Sequence, residues 1–371
     1  MHARFGGRGA TALLALAPLV ALVGCDAGAG KVGEQGTGAA SAGTKRLVIL
    51  INGDSPYWDA ARAGMEKAAE DFKLAAAGYA AVMESNDATP AGQIDKLRQF
   101  GSQSDIVAVA VSAVDATNAA IADEMARLRS QGVHVIALDN DVDRNAFRSA
   151  REFYLGTDNL AAGVELGLAG KALLPDGGDF VDFVGRTGAQ NASDRMDGFR
   201  DAAGEKFKEL DRMADEFDRS KAQDNVRHAL RNFPGVKALV GIYSYNAPAI
   251  VDVVRQLGVR DQVKILTFDA EMGAIEQMGQ GMIDAMVVQD PYNMGYLGVR
   301  LMKALVEKDE ATVKEMFPRA GEPDGDIYDT EIKVVVPAGS PLTPELFGKK
   351  ARFLRLEEFK EWLQKYNLKA S

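Results

Sequence analysis

The sequence predicts an α/β protein made of two doubly wound, parallel-sheet domains joined by a hinge. From Lys45 onward, short apolar runs alternate with stretches of helical period, the pattern of strands linked by right-handed helical crossovers. The pattern restarts near Phe153, so two βα runs of similar size follow one another. Two apolar runs, Val133 to Leu138 and Val263 to Phe268, stop abruptly at Asp139 and Asp269. Open α/β sheets bind ligands beyond the carboxyl ends of their strands, which is where these carboxylates fall. Either Asp could equally be a plain turn residue.

The first strand, Leu47 to Ile51, is continuously apolar, as burial on both faces requires. A helix follows the loop Asn52 to Pro56, with a stripe of Ala61, Met65, Ala68 or Ala69, and Phe72. Ser55 fits its N-cap and Pro56 its first turn. Strands at Ala80–Met83, Ile106–Val111 and Val133–Leu138 then alternate with helices at Pro90–Phe100 and Asp115–Ser130. The second run has strands at Phe153–Thr157, Phe180–Val184, Val236–Tyr243, Val263–Phe268 and Ile283–Val288. Its helices are Leu160–Leu174, Ala192–Ala203, Ala247–Leu257 and Tyr292–Val306. After an acidic loop, Gly321 to Asp329, come a strand at Ile332–Val336 and an amphipathic helix at Glu357–Tyr366.

The chain has 371 residues, the size of two ordinary domains. Its content, 47% hydrophobic and 26% charged, suits a globular protein with real cores. A net charge of −10 excludes nucleic acid as a partner, since phosphate binding needs a basic face.

The N-terminus reads as a targeting segment. His2, Arg4 and Arg8 precede the apolar run Ala10 to Val23, which is too short to span a bilayer comfortably. It ends in Leu22-Val23-Gly24-Cys25, similar to the lipobox of bacterial lipoproteins, and Cys25 is the only cysteine. Residues 1–24 are thus expected to be a lipoprotein signal peptide and Cys25 the lipid attachment. Residues 25–44, rich in Gly, Ala and Ser, are expected to be a flexible tether. Together they imply a lipid anchor as the sole membrane contact.

Several side chains fall where the strand ends converge. Tyr57 and Trp58 open the helix after the first strand, where a flat ring can cover the apolar face of a sugar. Asn191 and Arg195 lie four apart on one helix face, after the loop Gly185-Arg186-Thr187-Gly188. Arg offers a planar fork of donors and Asn both a donor and an acceptor.

Asn191-Ala192-Ser193-Asp194-Arg195-Met196-Asp197-Gly198-Phe199 resembles the Asn-Ala-x-x-Arg-x-x-Gly-Phe signature of periplasmic sugar-binding proteins of the ribose/glucose/galactose type. Ser55 to Trp58, Leu138-Asp139, Gly156 to Asn159, Ser244 to Ile250, Phe268-Asp269 and Val288 to Pro291 resemble further segments of that family, in order. The resemblance implies a type 1 periplasmic binding protein fold. It places one domain at 45–157 with 290–325 and the other at 158–289 with 326–371. It implies ring stacking by Tyr57 or Trp58 and by Phe217. It implies hydroxyl binding by Asp139, Asn191, Arg195, Asp269 and Gln289, with Ser55, Asn140, Arg186 and Ser244 also in the site. Ser244 and Asn140 stand where relatives carry Asn and Arg. Arg186 stands where they carry an apolar or small residue, which leaves room for a phosphorylated or acidic sugar.

The function expected is the lipid-anchored, extracytoplasmic substrate-binding component of an ABC importer. It would be a monomer in the bacterial cell envelope, facing periplasm or exterior. It would take a monosaccharide between hinged domains and deliver it to a permease. A receptor presenting the sugar to a membrane sensor or chemoreceptor is the alternative. No enzyme is expected, because no Gly-x-Ser-x-Gly elbow or phosphate loop is present. No cofactor or metal is expected either. Asp139, Asp141 and Asp143 alternate like a calcium loop, but Arg144 replaces its turn glycine.

Overall fold

The computed structural model describes residues 43–55 and 57–371. The expected signal peptide, Cys25, the expected tether up to residue 42, and Pro56 lie outside the described residues.

In the first half, β1 (Lys45–Leu50), α1 (Tyr57–Asp71), β2 (Tyr79–Glu84), α2 (Pro90–Gly101), β3 (Ile106–Val111), α3 (Ala119–Ser130), β4 (His134–Leu138) and β5 (Tyr154–Gly156) follow in turn. The second half holds α4 (Asn159–Leu173), β6 (Gly178–Val184), α5 (Gln190–Ala203), β7 (Phe207–Ala214), α6 (Arg219–Asn232) and β8 (Ala238–Gly241). It continues with α7 (Asn246–Leu257), β9 (Lys264–Phe268), α8 (Met272–Gly279) and β10 (Ala285–Val288). The chain returns to the first half for α9 (Pro291–Glu307), α10 (Glu310–Met316) and β11 (Ile327–Asp329). It ends in the second with β12 (Ile332–Val336), β13 (Ala351–Arg355) and α11 (Leu356–Lys365).

The sheets run β2-β1-β3-β4-β5-β11 and β7-β6-β8-β9-β10-β12-β13. All pairings of the first are parallel; in the second, β12 runs antiparallel to β10. The first five strands of each half share one order, so β4 and β9 are equivalent. Both sheets are buried on both faces. Leu47 and Ile49 join one cluster and Val48 and Leu50 another. Val181 and Phe183 are likewise separated from Phe180 and Val184.

The structure departs from the sequence reading in places. β11 pairs with β5, so the third crossing between halves falls at Thr330–Glu331 and not at 325/326. The acidic loop Gly321 to Asp329 looked like the boundary, but its last three residues form a strand of the first sheet. Helix α3 starts at Ala119 and not Asp115, because Asn118 accepts the amides of Ala120 and Ile121 as N-cap. Elements β7, α6, α8, α10, β11 and β13 have no counterpart in the sequence reading.

Helix pairs fix the strand ends at short range. A Cβ on Gly64 of α1 would lie 1.9 Å from the Tyr292 carbonyl of α9, and one on Gly295 1.9 Å from that of Ala61. In the second half Gly163 and Gly198 bring α4 and α5 together in the same way, against Arg195 and Leu160. Backbone cannot yield as a flexible side chain does, so Gly295→Ala should destabilise the chain by about 1–3 kcal/mol or more. Thermal or denaturant unfolding checks this; an unchanged midpoint would refute the close crossing.

Candidate functional site

Asp139 and Asp269 occupy the residue after β4 and after β9, the same position in each half. Both adopt a left-handed backbone, with φ of 64° and 61°. Asp tolerates this conformation better than most residues, but it still costs free energy, and such strain concentrates at functional sites. Both are buried, at 8% and 4% exposure.

Around Asp139 the first half supplies neutral donors. Tyr57 Oη donates to Oδ1 at 2.9 Å, and Ser112 Oγ, just past β3, to Oδ2 at 3.0 Å. Tyr154 Oη donates to the Asp139 carbonyl at 2.9 Å, holding its turn. Around Asp269 the second half supplies Gln289, whose Nε2 lies 3.0 and 3.2 Å from the two carboxylate oxygens. It also supplies Arg195, whose Nη1 is 3.7 Å from Oδ2.

Arg195 is only 1% exposed, and the Gly-lined α4–α5 crossing sets its depth. Its Nε donates to Asn159 Oδ1 (2.9 Å) and its Nη1 to the Ile242 carbonyl (3.0 Å). The guanidinium lies 4.7 Å from the centre of the Phe268 ring and 5.9 Å from that of Tyr243. Neither of these hydrogen bonds uses Nη2.

The halves face each other here: Asp139 feels Arg195 and Asp269 across the gap. Burial is the largest influence on both carboxyls and pushes both up from the usual Asp range. Tyr57 and Ser112 oppose it at Asp139, and Arg195 and Gln289 at Asp269. Burial and the two carboxylates also push the Tyr57 phenol well up, and burial raises that of Tyr243 to about 12. A carboxyl with a raised folded pKa favours the folded state below its unfolded value and loses that contribution as pH rises through the folded one. The ligand-free chain should therefore lose stability through these groups as pH rises above the ordinary Asp range. Asp139→Asn and Asp269→Asn should each flatten that slope in melts taken across the range. An identical slope in both variants would contradict the assignment.

The other expected residues are dispersed. Asn191 Oδ1 accepts from Tyr243 Oη at 3.1 Å, one helical turn from Arg195. Phe217, 54% exposed and at φ 64°, stacks on Tyr243 with centroids 5.9 Å apart. Arg186 lies over Phe217 and pairs with Glu216 at 3.1 Å, on the exposed rim. Asn140 spends its amide on the Ala113 carbonyl (2.7 Å), and Ser244 Oγ donates to Glu271 (3.2 Å). The Ser55 carbonyl accepts from the Trp58 amide at 3.0 Å. Trp58 itself sits in the first half's core with Leu47 and Ile49 at 3% exposure, so Tyr57 is the aromatic that meets a carboxylate.

Sequence reasoning missed Ser112, Tyr154, Asn159 and Tyr243 as contacts of the site. Each lies within three residues of the carboxyl end of β3, β5 or β8, and that placement was the available signal. Among the described residues, no group of three or more acidic, His or Cys side chains could hold a metal ion. The Asp141 carboxylate is taken by Arg144 and Arg151.

Fold and site together define a two-lobed binding protein with a polar site between the carboxyl ends of its sheets. Residues 47–310 match the periplasmic binding protein domain family, and the chain belongs to it. It is 23% identical over 274 residues to the D-allose-binding periplasmic protein of Escherichia coli, covering 71% of this chain and 85% of that one. It is 23% identical over 264 residues to a ribose import binding protein of Haemophilus influenzae, covering 70% and 85%. A solute-binding protein of an ABC transporter from Burkholderia graminis, solved with D-arabinose, superposes with a TM-score of 0.69 at 21% identity. That match covers 80% of this chain and 96% of the other. The chain is thus a periplasmic binding protein and not an enzyme.

Proposed function

We propose that this chain captures one neutral monosaccharide between its two halves and delivers it to an ABC permease, anchored as a monomer through a lipid on Cys25. One observation carries the ligand class: two buried carboxylates at equivalent strand ends share a single nearby guanidinium. A sugar presents hydroxyl donors around apolar faces, and carboxylates accept from them in charge-assisted bonds about twice as strong as neutral ones. Tyr57 and Phe217 supply aromatic surface for those faces.

The charge balance weighs against a phosphorylated or acidic sugar. Such a ligand would face Asp139 and Asp269, while Arg195 is already engaged by Asn159, Ile242 and Asp269. Arg186, the one residue that suggested it, is paired with Glu216 on the rim.

A thermal-shift panel of D-allose, D-ribose, D-arabinose, other neutral sugars, sugar phosphates and sugar acids tests this reading. A neutral member at 100 times its Kd should add about 2.7 kcal/mol of stability. A response confined to phosphates or acids would overturn it.

A further inference from the structure

The segment after α11 reaches the same site. Ser371 is 3% exposed. It pairs with Ala270, next to Asp269, in both directions: the Ala270 amide donates to its carbonyl (2.7 Å) and its amide to the Ala270 carbonyl (3.1 Å). Its hydroxyl donates to the Gln289 carbonyl at 3.2 Å. So one residue holds the main chain on either side of the Gln289–Asp269 side-chain bond.

The same segment spans the two halves. The Tyr366 ring packs at a tilt against Tyr292, in the first turn of α9, with centroids 4.4 Å apart, while Trp362 behind it belongs to the second half's core. Asn367, at φ 52°, turns the chain, and Leu368 donates its amide to Leu363 and packs on that core. Tyr292 follows directly on the second crossing, where Gln289 also accepts from Thr157 Oγ1 of the first crossing at 2.9 Å.

We propose that Tyr366–Ser371 is a positioning strap for the binding site. It clamps the left-handed turn that aims Asp269 and fixes the Gln289 backbone from which that carboxylate is held. Through Tyr366 it ties both to the first half across the hinge. The inference rests on the reading of Asp269 and Gln289 as ligand contacts. Neither residue moves freely while Ala270 is paired on both its amide and its carbonyl, and an unpaired buried amide is costly.

Ser371→Pro removes the amide and hydroxyl donors, Ser371→Ala only the hydroxyl, and Tyr366→Leu only the contact with Tyr292. Affinity and dissociation rate are measured with D-allose, D-ribose and D-arabinose in turn, and amide exchange across 266–271 and 286–290 without sugar. Ser371→Pro should weaken binding about tenfold, equivalent to about 1.4 kcal/mol, through faster dissociation. It should also expose the Ala270 amide to exchange, with Ser371→Ala milder in both. In an Asp269→Asn background the same substitution should cost little more, which a merely structural role would not produce. If Ser371→Pro does not fold, Tyr366→Leu carries the test, with faster dissociation expected. Wild-type binding together with unchanged affinity in the variants would overturn the strap. If wild type binds none of the three sugars, that bears on the ligand assignment, and exchange alone decides: retained Ala270 protection in Ser371→Pro, or in Tyr366→Leu where that variant carries the test, overturns the strap, and lost protection supports it.

Discussion

Replacing Arg195 with Met should abolish measurable sugar binding and cost about 3–5 kcal/mol of stability. The guanidinium is almost fully buried, bonds Asn159 and the Ile242 carbonyl, and is the cation nearest Asp269. Met can fill part of the space over Phe268, but it takes the donor from two acceptors, Asn159 Oδ1 and the Ile242 carbonyl, and leaves a carboxylate with only Gln289. Chemical unfolding at neutral pH measures the loss. It should shrink at low pH, where Asp269 takes up a proton. A variant as stable as wild type would mean that Arg195 is a ligand donor with no structural role.

Asp269→Asn separates binding from folding. Asn keeps the shape and tolerates the left-handed backbone at φ 61°, which Ala does not, so Ala would add a folding cost unrelated to the site. Loss of the charged acceptor should weaken sugar binding by about 2–5 kcal/mol, roughly thirty-fold to several thousand-fold, mostly as faster dissociation. Ligand-free stability at neutral pH should hold or rise, because the substitution removes a carboxyl that burial disfavours in its charged form. Calorimetric titration and melting of one sample measure both. Affinity within a factor of three of wild type would remove Asp269 from the site.

How much of this was legible depended on the element. Strands buried on both faces, such as β1 and β3, read directly from continuous apolar runs. β7 lies at the edge of its sheet and alternates with charges, and α6 is polar on most of its surface, so neither shows a clear period. Asp139 and Asp269 stood out because an apolar run ends on each, yet their left-handed turns are not visible in a sequence. Tyr57 and Trp58 are adjacent, and sequence could not say which points to the carboxylate and which to the core; helix rotation decides that. Ser112, Tyr154 and Tyr243 escaped because single hydroxyls near strand ends are common. Their meaning comes only from the partners that tertiary structure brings.

The most direct test is a structure of the chain solved with the sugar that stabilises it most. A carboxylate oxygen of Asp139 and one of Asp269 should each lie within hydrogen-bond distance of hydroxyls on the same sugar, with the Tyr57 ring beside it. A sugar bound elsewhere, or held between the halves without contact to either carboxylate, would contradict the account.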